Sequence, residues 1–418
     1  MKKKVTAAAA LALCVAMGVC ACSTPKENDA FTGEKKEDPA WQANLDKISP
    51  EVYADISDLD LEPGTYISVI GKREGTSYWN EVQAGVEQAA ADINKHLGYK
   101  GEDKIKVLYN APSDSENIDE QVNILDEELA RYPDVIAVAS VAEDASAVQF
   151  DLAAENGIAV VAFDSKNSYQ GIQCTCMTDN TAAAKEGAQK LGEAIDGKGE
   201  IILIAQDSVS GTAKERTKAV ADELAANYPE VKIVETIYMD QLEELKMQAA
   251  AEELGVTKEE LAAWTVESSG QDTAEEVAQD TASETIQTKL EDIHAIADGM
   301  KDADVAAYYM EKHPELKGCF AVNADAVLLA MDAVDIVENA EDIVLMGFDA
   351  GKEQVAALKD GKVDGLIVQN PFGMGYATVV AAARATLEIG NEANVNTGYV
   401  WADKESLDDP VIKGMLYE

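Results

Sequence analysis

The sequence predicts an α/β protein of two doubly wound parallel-sheet lobes joined by a multi-strand hinge, with an acidic helical elaboration in the second lobe. Two observations carry this. Short, continuous apolar runs alternate with helical patterns in two separate series, the rhythm of strand, helix and strand in a sheet buried on both faces. Three of the runs near the C-terminus also end on one polar residue: CFAVNAD stops at Asn323, IVLMGFDAG at Asp349 and LIVQNPFG at Gln369. Ligands of open α/β sheets sit beyond the carboxyl ends of the strands, so an amide, a carboxylate and a second amide are aimed at one small polar ligand. The plainer alternative is that Asn and Asp after a strand are ordinary turn residues.

The chain opens on Met1 and three lysines, runs uncharged from Val5 to Ala21 and reaches Cys22. A cationic start, a short apolar stretch and a small residue before the cleavage point make an export signal, too short to span a bilayer. Val19-Cys20-Ala21-Cys22 resembles the bacterial lipoprotein processing box, which implies that residues 1–21 are a signal peptide and that Cys22 is lipidated. An ordinary cleaved signal with incidental cysteines is the alternative. Removing residues 1–21, with three lysines and no acid, takes the formal charge from −44 to −47. That acidity argues against nucleic acid and anionic lipid head groups as partners. The later cysteines, Cys174, Cys176 and Cys319, are odd in number and make no disulfide framework. Cys174 and Cys176 share a strand face at the limit of bridging reach. His96, His294 and His313 show no ligand spacing with them, so no metal site is expected.

Residues 22–62 are polar and read as a tether, with Trp41 and the EVYADISDLDL segment packing on the body. Alternation starts at Tyr66. YISVIG, KIKVLY, VIAVAS and IAVVAF are strands separated by helical sequence, notably SYWNEVQAGVEQAAADINKHL. After Asp179-Asn180 a second series brings EIILIA, KIVETIYM, GCFAVN, DIVLMGF and GLIVQ. Each series is long enough for its own core. The segments GIQCTCMTDN, Gln369-Asn370-Pro371 and NTGYVWADK read as crossings. They divide the chain into a first lobe of residues 63–177 and 370–398 and a second of 178–369 and 399–418. Within the second, residues 241–299 hold fifteen acids against three bases in a helical pattern broken at Gly255, Ser268 to Gly270 and Gly299. Leu242, Leu245, Leu254, Leu261 and Trp264 give it apolar material to bury, so an ordered insertion is expected, a disordered acidic excursion being the alternative.

Further polar residues fall on the same rims. Lys72 and Arg73 follow the first strand, Tyr78 and Trp79 open the next helix, and Asp164 ends IAVVAF. One of the aromatics packs into the lobe and the other is placed to lie against a sugar ring. DSVSGTAKERTKAV puts Lys214 and Arg216 at the start of the helix after EIILIA. Carboxylates accept hydroxyl protons while Arg, Asn and Gln donate, a set suited to a polyhydroxylated ligand.

The order of aromatic pair, FDS, DN crossing, GTAKER, FAVNAD, GFDA and VQNP resembles the type 1 periplasmic sugar-binding proteins of the ribose and galactose group, relatives of the LacI-type repressor core. The resemblance covers about residues 65 to 400 apart from the acidic insertion. It implies a periplasmic-binding-protein-like fold whose lobes close around a sugar and dock on an ABC permease. It also implies that Tyr78 and Trp79 are stacking aromatics, Asp164 the hydroxyl-binding acid, Arg216 or Lys214 the site cation, and Asn323, Asp349 and Gln369 the polar groups of the second lobe and hinge. Ser165 stands where ribose binders often carry Arg, and Lys72, Arg73 and Thr76 depart from them as well. The two cations either balance Asp164 and Asp349 or favour an acidic sugar. A second-lobe stacking aromatic is not identifiable, Trp264 being the one candidate.

The expectation is a monomeric, extracytoplasmic, lipid-anchored solute-binding protein for a sugar or sugar-like ligand, serving an ABC permease; presentation of the ligand to a membrane kinase or chemoreceptor is the alternative. A repressor is excluded by the export signal and by the lack of a basic helix-turn-helix before Tyr66. No nucleophile elbow, phosphate loop or Ser/His/Asp order stands out, so neither an enzyme nor a cofactor is expected.

Overall fold

The computed structural model describes residue 39 and residues 41–417 except 114, 269–279 and 339. The signal peptide, Cys22, the tether as far as residue 38 and the middle of the acidic insertion lie outside the described residues. Residues 41–61, the end of the expected tether, form a packed arm that carries Trp41 and the EVYADISDLDL segment onto the body. It begins with α1 (Gln42–Leu45) and buries Leu45, Ile48, Tyr53, Leu59 and Leu61. Apolar residues scattered through a polar segment suffice to dock it once a body offers a matching surface.

The first sheet takes β1 (Tyr66–Ile70), β2 (Lys106–Asn110), β3 (Val135–Val138), β4 (Ala159–Phe163) and β5 (Ile172–Met177) from the first half of the chain. Between them run α2 (Ser77–Leu97), α3 (Ile118–Leu129) and α4 (Ala147–Glu155). After α5 (Asn180–Ala194) the second sheet is laid down: β6 (Lys198–Ala205), α6 (Gly211–Asn227) and β7 (Glu230–Tyr238). The described part of the acidic insertion supplies α7 (Leu242–Glu253), α8 (Lys258–Ser268) and α9 (Asp280–Gly299), and α10 (Asp302–Glu311) leads back to the sheet. Ala250, Val256, Leu261, Leu290 and Ile293 form a small core of their own, with Trp264 against it. The second sheet is completed by β8 (Leu316–Ala321), α11 (Ala324–Val334), β9 (Val344–Phe348), α12 (Lys352–Asp360) and β10 (Gly365–Gln369). α13 (Pro371–Thr386) returns to the first lobe, β11 (Asn394–Asn396) joins its sheet, and β12 (Tyr399–Ala402) joins the second, before α14 (Pro410–Lys413).

Both sheets have six strands, in the orders β11-β5-β4-β3-β1-β2 and β12-β10-β9-β8-β6-β7. All described pairings are parallel except β10 with β12. Register sets the rims level. Ile70 stands opposite Asn110 and Val138, and Ala321 opposite Ile204 and Gly347, so the residues just past these strands leave each sheet together. α13 lies backbone to backbone on α2, since a Cβ on Gly85 would fall 2.0 Å from the carbonyl oxygen of Phe372 and one on Gly375 2.0 Å from that of Val82.

The chain passes between the sheets at residues 177–180, 369–371 and 396–399. These crossings lie side by side: Thr178 donates to Gln369 Oε1 at 2.9 Å, Asn370 Nδ2 to the carbonyl of Thr397 at 2.7 Å, and the Thr397 N–H to the carbonyl of Met177 at 3.0 Å. The arm is fastened to the same place. Asn370 Nδ2 also donates to the carbonyl of Asn44 at 2.7 Å, and Ser49 bridges to Asn396.

Candidate ligand-binding site

A cavity of about 470 Å³ lies between the two strand rims, within the range typical of small-molecule sites. On the first-lobe side Asp164, the residue after β4, is buried with a left-handed backbone at φ 60°. Asp tolerates that region better than most residues, and such strain collects at functional sites. Lys72 Nζ reaches Asp164 Oδ2 at 2.8 Å, Ser165 Oγ donates to the same oxygen at 3.2 Å, and the Tyr78 hydroxyl donates to Oδ1 at 2.7 Å. Burial alone pushes the Asp164 carboxyl up, but the Lys72 ammonium outweighs it and holds the pKa below the ordinary value. Lys72 stays charged for the mirrored reason, its own burial being outweighed by Asp164.

On the second-lobe side Asp349 follows β9 with φ 77°. Its Oδ1 accepts from Gln369 Nε2 at 2.7 Å and from the Tyr417 hydroxyl at 2.9 Å, and its Oδ2 from the Ala324 N–H at 2.8 Å. Burial pushes this carboxyl up, and here Arg216 and the neutral donors do not reverse the shift. Arg216 is turned elsewhere: it donates to Asn180 Oδ1 at 2.8 Å, to the carbonyl of Val322 at 2.6 Å and to Gln369 Oε1 at 2.8 Å, over the ring of Phe348.

Of the residues singled out from the sequence, Lys72, Tyr78, Trp79, Asp164, Arg216, Asn323, Asp349 and Gln369 line this cavity. Lys214 does not; it is exposed, because two residues along a helix turn a side chain to the opposite face. Thr212, one turn before Arg216 on the same face, lines the cavity in its place. Trp264 belongs to the insertion's own core, with Lys289 over its ring, and is no part of the cleft. Asn323 divides its amide between two roles. Its Oδ1 caps α11 by accepting from the Ala326 N–H, which leaves its NH₂ group as a donor. Tyr78 and Trp79 are both largely buried, 8% and 6% exposed, and meet edge to face, with Trp79 also edge-on to Phe163.

Several lining groups were not singled out from the sequence, among them Gln206, Asp325 and Tyr417. Gln206 follows β6 as Asn323 follows β8, and the same strand-end rule finds it; its Oε1 is buried without a partner. Arg73 and Asp325 join at 2.9 Å from opposite lobes, and Lys166 likewise pairs with Glu215. Tyr417 arrives from the C-terminal tail, which carries no periodic signal. Among the described residues no group of three His, Cys, Asp or Glu is placed to hold a metal ion. Cys174 and Cys176 are free, buried thiols with sulfurs 3.8 Å apart.

Residues 67–287 and 288–390 match the model of the periplasmic binding protein domain. The chain belongs to that family. This periplasmic binding protein resembles the ribose import binding protein of Bacillus subtilis (strain 168), at 31% identity over 85 residues, 20% of this chain and 27% of the relative. The chain thus aligns with about a quarter of that relative's length. Solved structures share the fold over most of the chain. A solute-binding protein from Agrobacterium vitis bound with alpha-D-tagatopyranose has a TM-score of 0.64 at 20% identity, covering 85% of this chain and 99% of its own. A carbohydrate transporter solute-binding protein from Agrobacterium radiobacter, in complex with D-arabinose, has a TM-score of 0.61 at 23% identity, covering 84% and 98%.

Proposed function

We propose that this periplasmic binding protein captures a neutral sugar or sugar-like polyol between its two lobes outside the cytoplasm and delivers it to the membrane subunits of an ABC permease. The observation that carries this reading is the cavity itself, into which each lobe sends one buried, hydrogen-bonded acid from a strand end. The two cations after the first strand are each paired. Lys72 is paired with Asp164 and Arg73 with Asp325, so the two cations at the mouth balance acids instead of calling for an anionic ligand. A site of paired cations and dense hydrogen bonding suits hydroxyl groups, which both donate and accept. The relatives that carry sugars in the same fold support the choice of class. Binding without chemistry fits a cavity whose acids are held by several donors each. Lipidation at Cys22 would hold the protein at the outer face of the cell membrane as a monomer.

A thermal-shift screen over pentoses, hexoses, polyols, sugar acids and nucleosides tests the reading. A ligand at 100 times its Kd adds about 2.7 kcal/mol of stability, a clear rise in melting temperature. Neutral sugars are expected to give the rise. Stabilisation by sugar acids alone would overturn the neutral class, and silence from every sugar would overturn the function.

A further inference from the structure

The two acids of the cleft are linked by a pair of tyrosines. Tyr78 donates to Asp164 and Tyr417 to Asp349, and their rings meet edge to face with centroids 5.9 Å apart. Tyr417 is 3% exposed. Its segment is tied down. Asn44 Nδ2 of the arm donates to the carbonyl of Gly414 at 2.9 Å, Met415 is buried, and the Tyr417 N–H donates to the carbonyl of Ala350 at 3.3 Å.

We propose that Tyr417 is a specificity-determining residue of the ligand site: with Tyr78 it forms the surface between the two acids and limits Asp349 to one ligand hydroxyl. An ionised carboxylate has about four accepting positions. On Asp349 two are taken at Oδ1 by Gln369 and Tyr417, and one at Oδ2 by the Ala324 N–H. One position is left, on Oδ2. Asp164 is filled in the same proportion, by Tyr78 at Oδ1 and by Lys72 and Ser165 at Oδ2, which leaves one position on Oδ1. A ligand therefore gives one O–H to each acid, and the tyrosine pair fixes how far apart those two hydroxyls stand. Burial and the neighbouring Asp349 hold the Tyr417 phenol well above its ordinary pKa, so the proton stays on the phenol oxygen and is donated to Asp349, which leaves that oxygen free to act toward a ligand as an acceptor only.

This inference rests on the sugar reading of the cleft, and the two are separable by titration calorimetry of the mature chain with a panel of pentoses, hexoses and one disaccharide. Tyr417→Phe opens a second accepting position on Asp349 and removes a neutral acceptor from the ligand, so it is expected to change the ranking of the sugars and to weaken the best one about fivefold. Tyr417→Ala removes the ring and is expected to change the affinity ratio of the best hexose to the best pentose by about tenfold, an order of magnitude being worth 1.4 kcal/mol. Unchanged ranking in both variants, or an equal loss for every sugar, overturns the assignment while the sugar reading stands. A wild type that binds no sugar overturns both. Should Tyr417→Ala melt before titration, Tyr417→Phe decides alone, since a purely structural role lowers all affinities together.

Discussion

Asp164 and Asp349 occupy the same place in their two lobes, yet their charges are handled in opposite ways. Each follows a buried Phe at the end of a strand, each has a left-handed backbone, and each takes three internal hydrogen bonds. Asp164 has a cation of its own, and its pKa is lowered. Asp349 is held by an amide, a phenol and a backbone N–H, while the nearest guanidinium faces other acceptors, and its pKa is raised. The first acid thus stabilises its lobe as an ion pair before any ligand arrives. The second is costly to keep ionised in the empty cleft, and a donated hydroxyl relieves that cost, so the second lobe is where occupancy is sensed most strongly.

The largest expected effect breaks the first half of this contrast. Asp164→Asn leaves the Lys72 ammonium buried with no anion, and loss of one partner of a buried pair costs about 3–5 kcal/mol. Urea unfolding measures it; a loss below about 1 kcal/mol, the median range of exposed pairs, would make the two acids equivalent. Asp349→Asn is expected to remain within about 1 kcal/mol of wild-type stability, since a raised pKa marks a carboxylate that destabilises the fold at neutral pH. Its sugar affinity should fall about tenfold or more. Acidification separates the acids further. The stability given by Asp164 is complete above its unfolded pKa of about 3.9 and is lost as pH falls through its lowered folded value. The Asp349 penalty is present at neutral pH and disappears as pH falls through its raised folded value. Asp349→Asn should therefore flatten the stability profile above about pH 4, and Asp164→Asn below it. The smallest effect concerns the mouth. Arg73 and Asp325 are both partly exposed, so Arg73→Ala should cost about 1 kcal/mol or less. It should show as a more open ligand-free shape in small-angle scattering, a difference that high salt removes.

Much of this was legible because the two acids announce themselves alike: IAVVAF-Asp164 and DIVLMGF-Asp349 are apolar runs ended by a carboxylate. Parallel sheets buried on both faces leave that pattern, and a shared register brings the strand ends to one rim. The same rule reaches Gln206, which directly follows the apolar run EIILIA. Which of Lys214 and Arg216 faces the cleft is fixed by helical phase, a quantity the spacing held. The roles of Tyr78 and Tyr417 were not legible. Whether a phenol stacks on a ligand or donates to an acid depends on distances that only tertiary packing sets, and a tail with no period gives no hint of where it docks. The docking of the arm at 41–61 was legible in part, through Trp41 and the EVYADISDLDL segment, because a handful of buried apolar residues is enough to pin a polar segment.

That arm enters the body at the crossings, where Asn44 meets Asn370 and Ser49 meets Asn396. Beyond the crossings the arm lies along the first lobe, where the Tyr53 hydroxyl meets Asn391 and the carbonyl of Leu61 accepts from Tyr99. The leading segment is therefore mounted on one jaw, and the second lobe is the jaw left free to swing.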